Sequence, residues 1–497
     1  MVALVKENAP ILIVIASLFS AYLLPVFMQY RRYGIVGFLA LATQFFVLFG
    51  GIFLATQVLA KGSFRYILAG WEAPWGLEIT IDPLSTLFLI MIGLINLLIL
   101  VYALPSLADE LGNKVRATWF LTLFMLLTAA LCGMALCHDL FNLYVFIEVA
   151  TISGCAIVGA KGDARSTEAT FKYLILATLG SCFVLGGIGF LYNLTGNLNM
   201  LFVNHELAQT WSNYQYALWV SLSFFIVGFG IKSAVFPLHV WLPDAHSSAI
   251  TPASAVLSAI SVKGYVLGLV KVFYIAVGPL IVASLNISDI LLLLGMGSII
   301  AGSIFAIAQT ELKRRFAFST IAQIGYIFLG LGLNNQAGLT GAFFHIFSHA
   351  LIKTALFLIA GFILIKTGKS QIKDLTGIGK QMPLTMGAFT VVSLGMTGIP
   401  LFSGFIGKWN LLLGSLEAGN WLAILVLLAG SILAAIYLFP IIKQAYFTTN
   451  QDYAELKENT IMIVPILILA GTILLLGIFP RPVLTLASQA ASMLLGQ

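Results

Sequence analysis

Fourteen stretches of about twenty mostly apolar residues follow one another along this chain, separated by short polar connectors. A bilayer's hydrocarbon core is about 30 Å thick and a helix rises about 1.5 Å per residue, so roughly 20 such residues make one span. The stretches run near 9–29, 34–59, 83–104, 115–136, 139–159, 169–193, 217–240, 252–275, 288–308, 317–333, 340–365, 384–414, 421–446 and 460–490. None alternates at period two over about ten residues, as β-barrel spans do. Of the 497 residues 60% are apolar and 9% charged, whereas soluble domains carry about 25% charged residues. The chain therefore reads as an all-α polytopic membrane protein with about 14 transmembrane helices. Lys6 and Glu7 precede the first stretch, Arg31 and Arg32 follow it, and no small-residue cleavage site is evident, so it reads as a permanent span and not a signal peptide.

The net charge of +6 does not point to nucleic acid, because the basic residues sit in short connectors instead of on one extended face. Connectors after odd-numbered spans hold sixteen Lys and Arg. The opposite side, with both termini, holds five: Lys6, Lys61, Arg65, Lys271 and Arg481. Basic residues favour the cytoplasmic side, which places this multi-pass protein in the inner (cytoplasmic) membrane with both termini outside the cytoplasm. Cys132, Cys137, Cys155 and Cys182 lie in or beside apolar stretches. They read as packed or lipid-facing thiols, with neither a disulfide framework nor a metal site.

The remaining four lysines, Lys232, Lys263, Lys353 and Lys408, fall inside spans, as does one acid, Glu148. A charge at the bilayer centre costs about 2.5–3.5 kcal/mol on insertion scales, so five facing lipid would cost on the order of 12–18 kcal/mol. They must face protein, a hydrated cavity or each other. Buried ion pairs that fix helix register would explain some of them, but one acid cannot neutralise four lysines. A lysine balanced between burial and a nearby acid is a switchable proton carrier. His345, His349 and Lys353 recur at i, i+4 and i+8, which lays them in a polar stripe along one helix face. Histidine titrates near neutral pH and suits stepwise proton transfer, while a satisfied structural histidine is the plainer reading of His349.

Two spans carry their own breaks. VGFGIKSAVFPLHVWLP has two glycines before Lys232 and Pro237 after it, and TGIPLFSGFIGKWN puts Gly398, Pro400, Gly404 and Gly407 ahead of Lys408. Irregular backbone at membrane depth survives only where protein or water covers it. Broken helices with ionisable residues, one in each half, are the pattern of a transporter built from inverted repeats. The expected organisation is N-terminal helices 1–3 over 1–110, a first five-helix repeat near 115–275, a second near 288–446, and a C-terminal helix over 460–497, with helices 7 and 12 broken.

The stretch KSAVFPLHVWLPDAHSSAITPASAVLSAISVKGYVLGLVKV, together with FNLYVFIEV, FHIFSHALIKTALF and GIPLFSGFIGKW, resembles the antiporter-like membrane subunits. That family is shared by respiratory complex I, membrane-bound hydrogenases and Mrp-type Na+/H+ antiporters. The resemblance covers about 115 to 415, with IDPLS at Ile81–Ser85 outside it. Two positions depart from the family pattern: Ala249-Ile250-Thr251-Pro252 replaces Ala-Pro-Thr-Pro, and Pro400-Leu401 replaces Pro-Pro. The resemblance implies that Glu148 pairs with Lys232 of broken span 7, that Lys263 connects onward, that His345, His349 and Lys353 form the stripe of span 11, and that Lys408 ends the row. At ~4 Å and an effective dielectric near 20 the Glu148–Lys232 attraction would be about 4 kcal/mol. Separating the pair would release the Lys232 proton toward Lys263.

The resemblance also implies partners: other membrane subunits, protons, and Na+ in the antiporter branch. Chain length and GIPLFSGFIGKW are similar to the D-type Mrp subunit and its hydrogenase-like counterpart, with a complex I subunit as the alternative. The long amphipathic helix that follows the last span in the largest relatives is not expected, since the sequence ends at Gln497. A carrier of an organic solute would need substrate-specific side chains, and no arginine is expected within a span. A non-conducting scaffold would be expected to lack Glu148 or Lys232. No CxxC cluster, dinucleotide loop or haem motif is present, so iron–sulfur, nickel or flavin centres would belong to partner subunits. Ser247, Ser248 and Thr251 offer oxygens suited to Na+, though such residues in spans more often bond backbone carbonyls.

Overall fold

In a bilayer each backbone N–H must find its carbonyl within its own segment, so long apolar stretches become helices. The computed structural model of the chain describes residues 8–30, 32–447, 456, 458 and 460–496; Lys6, Glu7, Arg31 and Lys457 lie outside them. Among the described residues thirteen helices are long and apolar enough to cross a membrane. Spans 1 to 6 are Ala9–Gln29, Tyr33–Lys61, Pro83–Ala103, Lys114–Leu136, Leu140–Val158 and Ala164–Thr195. Span 7 is Gln215–Ser233, continued after a break by Trp241–Ser248. Spans 8 to 11 are Thr251–Val277, Ile287–Ala308, Leu312–Leu333 and Gln336–Thr367. Span 12 is two 15-residue halves, Pro383–Thr397 and Ser403–Glu417, and spans 13 and 14 are Trp421–Phe447 and Thr460–Ile478.

Helix starts are written in short polar residues. The IDPLS motif is a capping box: Asp82 Oδ1 accepts the Ser85 N–H at 2.6 Å and Ser85 Oγ accepts the Asp82 N–H at 2.8 Å. Asn113, Asp139, Asp163 and Asn335 cap spans 4, 5, 6 and 11 through their side-chain oxygens. The quintets formed by spans 4–8 and 9–13 share an order of lengths. The third helix of each has 32 residues, the fourth is broken, and the fifth has 27.

Connectors alternate between two faces. One carries an antiparallel hairpin, β1 (Phe64–Ile67) and β2 (Glu78–Ile81), with Phe64 opposite Ile81, and a surface helix, Met200–Thr210. The other carries an ion network in which Asp244 meets Arg314 at 2.7 Å and Lys172 at 3.3 Å, while Arg165 meets Glu311 at 2.9 Å.

Four sequence expectations need correction. The last stretch is not one span over 460–490: it stops at Ile478, and a separate helix, Arg481–Leu495, starts beyond Pro480. Lys271 is not in a connector but buried in the last turns of span 8, where its ammonium bonds the Ala135 and Cys137 carbonyls at 2.7 and 2.6 Å. Lys313 and Arg315 lie buried in the first turn of span 10 instead of in a loop. A span thus does hold an arginine. Its guanidinium bonds the Gln309 and Tyr437 carbonyls, which braces the end of span 9 against the middle of span 13.

Candidate functional site

Broken span 7 presents the first lysine. Its first half ends at Ala234 in the left-handed region (φ 56°), and the Ile231 carbonyl freed by the break accepts the Trp241 indole N–H at 2.8 Å. Spans 6 and 7 touch through glycines: a Cβ on Gly228 would lie 2.8 Å from the Gly180 carbonyl. That close approach, of the small-residue kind, brings Lys232 against Ser181. The ammonium donates to Ser181 Oγ at 2.7 Å and to Thr151 Oγ1 at 2.8 Å, and lies 3.7 Å from Glu148 Oε1. Ser181 in turn donates a short hydrogen bond to Glu148. The pair is thus direct and also bridged by one hydroxyl. Lys232 is fully enclosed, while the Glu148 side chain remains 27% exposed on the flank of the molecule.

Span 8 carries the next group. Lys232 lies 5.3 Å from the Tyr265 ring, whose hydroxyl is 3.3 Å from Thr151. A π-helical turn over Leu257–Ser261 loosens the backbone ladder there, and Lys263 donates to the Ser258 carbonyl. Hydroxyl groups lie between Lys263 and the stripe without forming one unbroken chain: Ser258 Oγ meets Thr320 Oγ1 of span 10 at 2.8 Å, and Ser319, next in sequence to Thr320, accepts from Lys353 at 2.5 Å. Lys353 also donates to the Phe316 carbonyl at 2.8 Å.

The stripe of span 11 is as the spacing expects. The His345 and His349 rings stack 5.8 Å apart at 5°, buried, and none of their four ring nitrogens has a protein partner among the described residues. Buried polar groups of this kind are normally satisfied by water. Tyr326 links the stripe to the end of the row, with its ring 5.4 Å from His345 and 4.6 Å from the Lys408 ammonium. Lys408 reaches back to the first half of span 12, donating to the Met396 and Thr397 carbonyls at 3.0 and 3.1 Å and to Ser431 Oγ at 3.2 Å. Those carbonyls end a helix, the negative end of its dipole. The break itself uses Gly398 (φ 85°) and Leu401 (φ 77°) in the left-handed region.

The seven ionisable residues named from the sequence lie in spans 5, 7, 8, 11 and 12, and the contacts around them were not foreseen. Ser181, Thr151, Ser258, Ser319, Thr320, Tyr265 and Tyr326 carry no distinguishing signal, because hydroxyls in spans usually bond their own helix. Sequence reasoning also passed over His246, which is fully buried beside Phe357 (ring centroids 5.2 Å apart) with neither ring nitrogen partnered by protein among the described residues. Its PDAH context next to a break was the available signal.

Beside it, a cavity of about 300 Å³ is lined by Glu110, Lys161, Arg165, Glu311 and Lys313 together with Ser247, Ser248 and Thr251. Ser247 and Ser248 spend their hydroxyls on the Asp244 carbonyl. Burial holds the Glu110 carboxyl above the usual range. No cluster of three His, Cys, Asp or Glu able to hold a metal occurs among the described residues.

The family model "NADH:quinone oxidoreductase/Mrp antiporter, TM" matches residues 137–436. The chain is 38% identical to NADH-quinone oxidoreductase subunit N of Desulforudis audaxviator, over 97% of this chain and 98% of that one. It is 28% identical to the D-type subunit of the Na(+)/H(+) antiporter of Alkalihalophilus pseudofirmus, over 89% of each. The solved membrane-bound sulfane sulfur reductase, an archaeal respiratory membrane complex, contains a chain of the same fold. Its TM-score is 0.90 at 28% identity, covering 98% of this chain and 97% of that one.

Proposed function

Because the chain belongs to the NADH:quinone oxidoreductase/Mrp antiporter transmembrane family, we propose that it is a proton-carrying, antiporter-like subunit of a larger membrane complex. The path runs Glu148, Lys232, Lys263, Lys353, His349, His345, Lys408. The observation that carries this reading is the enclosed Lys232 ammonium, held by Ser181 and Thr151 at 3.7 Å from a partly exposed Glu148. A carboxylate on the flank responds to charge in a neighbouring subunit, and the lysine it pairs with hands that response inward. Glu148 drawn away leaves Lys232 without its counter-charge, and the proton moves toward Lys263.

The redox-driven assembly is the first reading, because the 38% identical relative is named as a quinone oxidoreductase subunit and the 28% identical fold neighbour comes from a respiratory complex. Iron–sulfur, nickel or flavin centres then sit in partner subunits. The Mrp-type Na+/H+ antiporter, favoured from sequence motifs jointly with its hydrogenase-like counterpart over complex I, stays as the second reading on the 28% identical D-type relative. In either, both termini lie outside the cytoplasm, the 300 Å³ cavity faces the cytoplasm, and spans 4–8 and 9–13 are the two inverted repeats.

The test is to purify the native complex in mild detergent, identify its subunits, and assay iron, nickel and flavin. Stoichiometric iron–sulfur partners support the redox-driven pump, and a metal-free set of small membrane proteins supports the antiporter. Lys232→Ala and Glu148→Ala should each abolish coupled transport in proteoliposomes while the complex still assembles. Normal transport by both would overturn the proton path.

A further inference from the structure

On the hairpin face, away from the ion network, a cavity of about 760 Å³ opens between β1, β2, the surface helix, the end of span 8 and the C-terminal helix. Its size falls within the range of small-molecule sites, about 300–1,000 Å³. Most of its wall is apolar, including Leu201, Trp211, Ile275, Leu280, Met493 and Leu495. Its polar lining includes Arg65, Thr80, Asp82, His138 and Asn204.

The polar side chains are set there by the fold and are only partly used. His138 joins spans 4 and 5, is 4% exposed, and has neither ring nitrogen bonded to protein among the described residues. Burial, with Lys271 and Arg65 nearby, pushes its imidazole down to about 3, so the ring is neutral and offers one N–H and one lone pair. Behind it the Lys271 ammonium is pinned to the Cys137 carbonyl at 2.6 Å. Arg65 is 57% exposed and reaches Glu78 at 3.7 Å, which leaves most of its five donors unbonded among the described residues. Asp82 is 2% exposed and uses Oδ1 for its helix cap, so one oxygen is left toward the cavity; burial raises its carboxyl and the nearby Lys271 ammonium lowers it.

The depth is marked by aromatic residues. Trp71 and Trp75 of the hairpin turn are 68% and 89% exposed, and Tyr216 at the start of span 7 is 92% exposed. Exposed Trp and Tyr gather at the level of lipid headgroups. A soluble anion would have no use for the apolar walls, and a hydrocarbon none for the polar side chains. An anionic lipid would leave Asp82 facing like charge.

We propose that this cavity binds a zwitterionic aminophospholipid, its phosphate on Arg65 and His138, its primary ammonium on Asp82, and one acyl chain along the Trp211–Leu280 wall. This rests on the hairpin face alone and is independent of the proton path.

The probes are vesicles of phosphatidylcholine containing phosphatidylethanolamine, phosphatidylglycerol or neither, incubated with the delipidated intact complex. Bound lipid is then counted by native mass spectrometry. Phosphatidylethanolamine should be retained over phosphatidylcholine, whose quaternary ammonium cannot donate to Asp82. Arg65→Ala and His138→Leu should each weaken that retention about tenfold or more. Asp82→Asn keeps the helix cap and should raise phosphatidylglycerol to equal standing.

Equal retention of all three lipids by the unmodified complex overturns the proposal without reliance on any variant. So does displacement of the lipid by inorganic phosphate alone, or unchanged retention in correctly assembled Arg65→Ala and His138→Leu complexes.

Discussion

Replacing Ser181 by alanine removes one hydroxyl and leaves both charges of the Glu148–Lys232 pair in place. At 3.7 Å the direct attraction is about 4 kcal/mol at an effective dielectric near 20, and it survives the substitution. What is lost is the bond Lys232 makes to Ser181 at 2.7 Å and the bond Ser181 makes to Glu148. A hydrogen bond to a charged group is worth about 1.5–3 kcal/mol. Thr151 still holds the ammonium at 2.8 Å, so the lysine stays where it is. If the hydroxyl conveys the proton shift between the partners, the loss falls on the barrier, and transport slows about tenfold to a hundredfold at 1.36 kcal/mol per decade. The assay is proton uptake by proteoliposomes of the purified complex, followed with an entrapped pH-sensitive dye. Glu148→Gln serves as the inactive reference. Ser181→Ala at the unsubstituted rate, beside an inactive Glu148→Gln, would show that the pair communicates through space and that the bridge carries nothing.

Gly398→Ala should slow transport while the complex assembles. Its backbone sits at φ 85° and a Cβ would lie 2.8 Å from Lys408 Cδ, so about 1–2 kcal/mol of backbone cost comes with displacement of the terminal lysine, read by the same dye assay. Gly228→Ala should lower thermal stability by about 1–3 kcal/mol of overpacking, because its Cβ would meet the Gly180 carbonyl and Val184 at 2.8 Å; an unchanged melting temperature would mean spans 6 and 7 can part freely. Asp163→Ala should cost about 1 kcal/mol of N-cap at neutral pH. The Lys161 ammonium at 2.6 Å and the Ser166 N–H hold the Asp163 carboxyl down to about 2, below the unfolded value near 3.9. Its contribution is therefore complete above pH about 4 and is lost as pH falls toward 2. The melting difference from the unsubstituted protein should shrink across that window.

The spans and the two breaks were legible because each is written in strong signals, either twenty apolar residues or a glycine and proline beside a lysine. Glu148 and the four lysines stood out because charge at membrane depth is costly, and the two histidines because of their spacing from Lys353. Lys271, Lys313 and Arg315 were misread for a related reason. At the end of an apolar run a charge looks like the start of a connector, and only the fold reveals that backbone carbonyls of Ala135, Ala249 and Gln309 receive them. The end of span 14 was masked by apolar continuity, although GIFPRP at Gly477–Pro482 contains two prolines and a stop signal. The hydroxyl bridges were not legible at all. Thr151 and Thr320 each also bond the carbonyl four residues back, so nothing in their spacing separates them from ordinary helix threonines.

The row of lysines has one carboxylate, and the structure shows what takes the place of the others. Lys263 is held by the Ser258 carbonyl, Lys353 by the Phe316 carbonyl and Ser319, and Lys408 by two carbonyls at a helix end. These ligands are neutral dipoles. They fix where each ammonium sits without binding its charge as a carboxylate would. Within the row only Lys232 has a counter-charge among the described residues, and that carboxylate is 27% exposed on the flank. A second carboxylate inside the row should then act as a trap. In Ser319→Asp the new oxygen falls beside the Lys353 ammonium, and at ~4 Å it adds about 4 kcal/mol of attraction at an effective dielectric near 20, roughly three decades in rate. The variant should assemble yet pass protons about a thousandfold more slowly, and Ser319→Asn, of the same shape and without the charge, should recover most of the rate. Equal rates for the Asp and Asn variants would mean that Lys353 never has to release its proton, and the path would have to bypass the stripe of span 11.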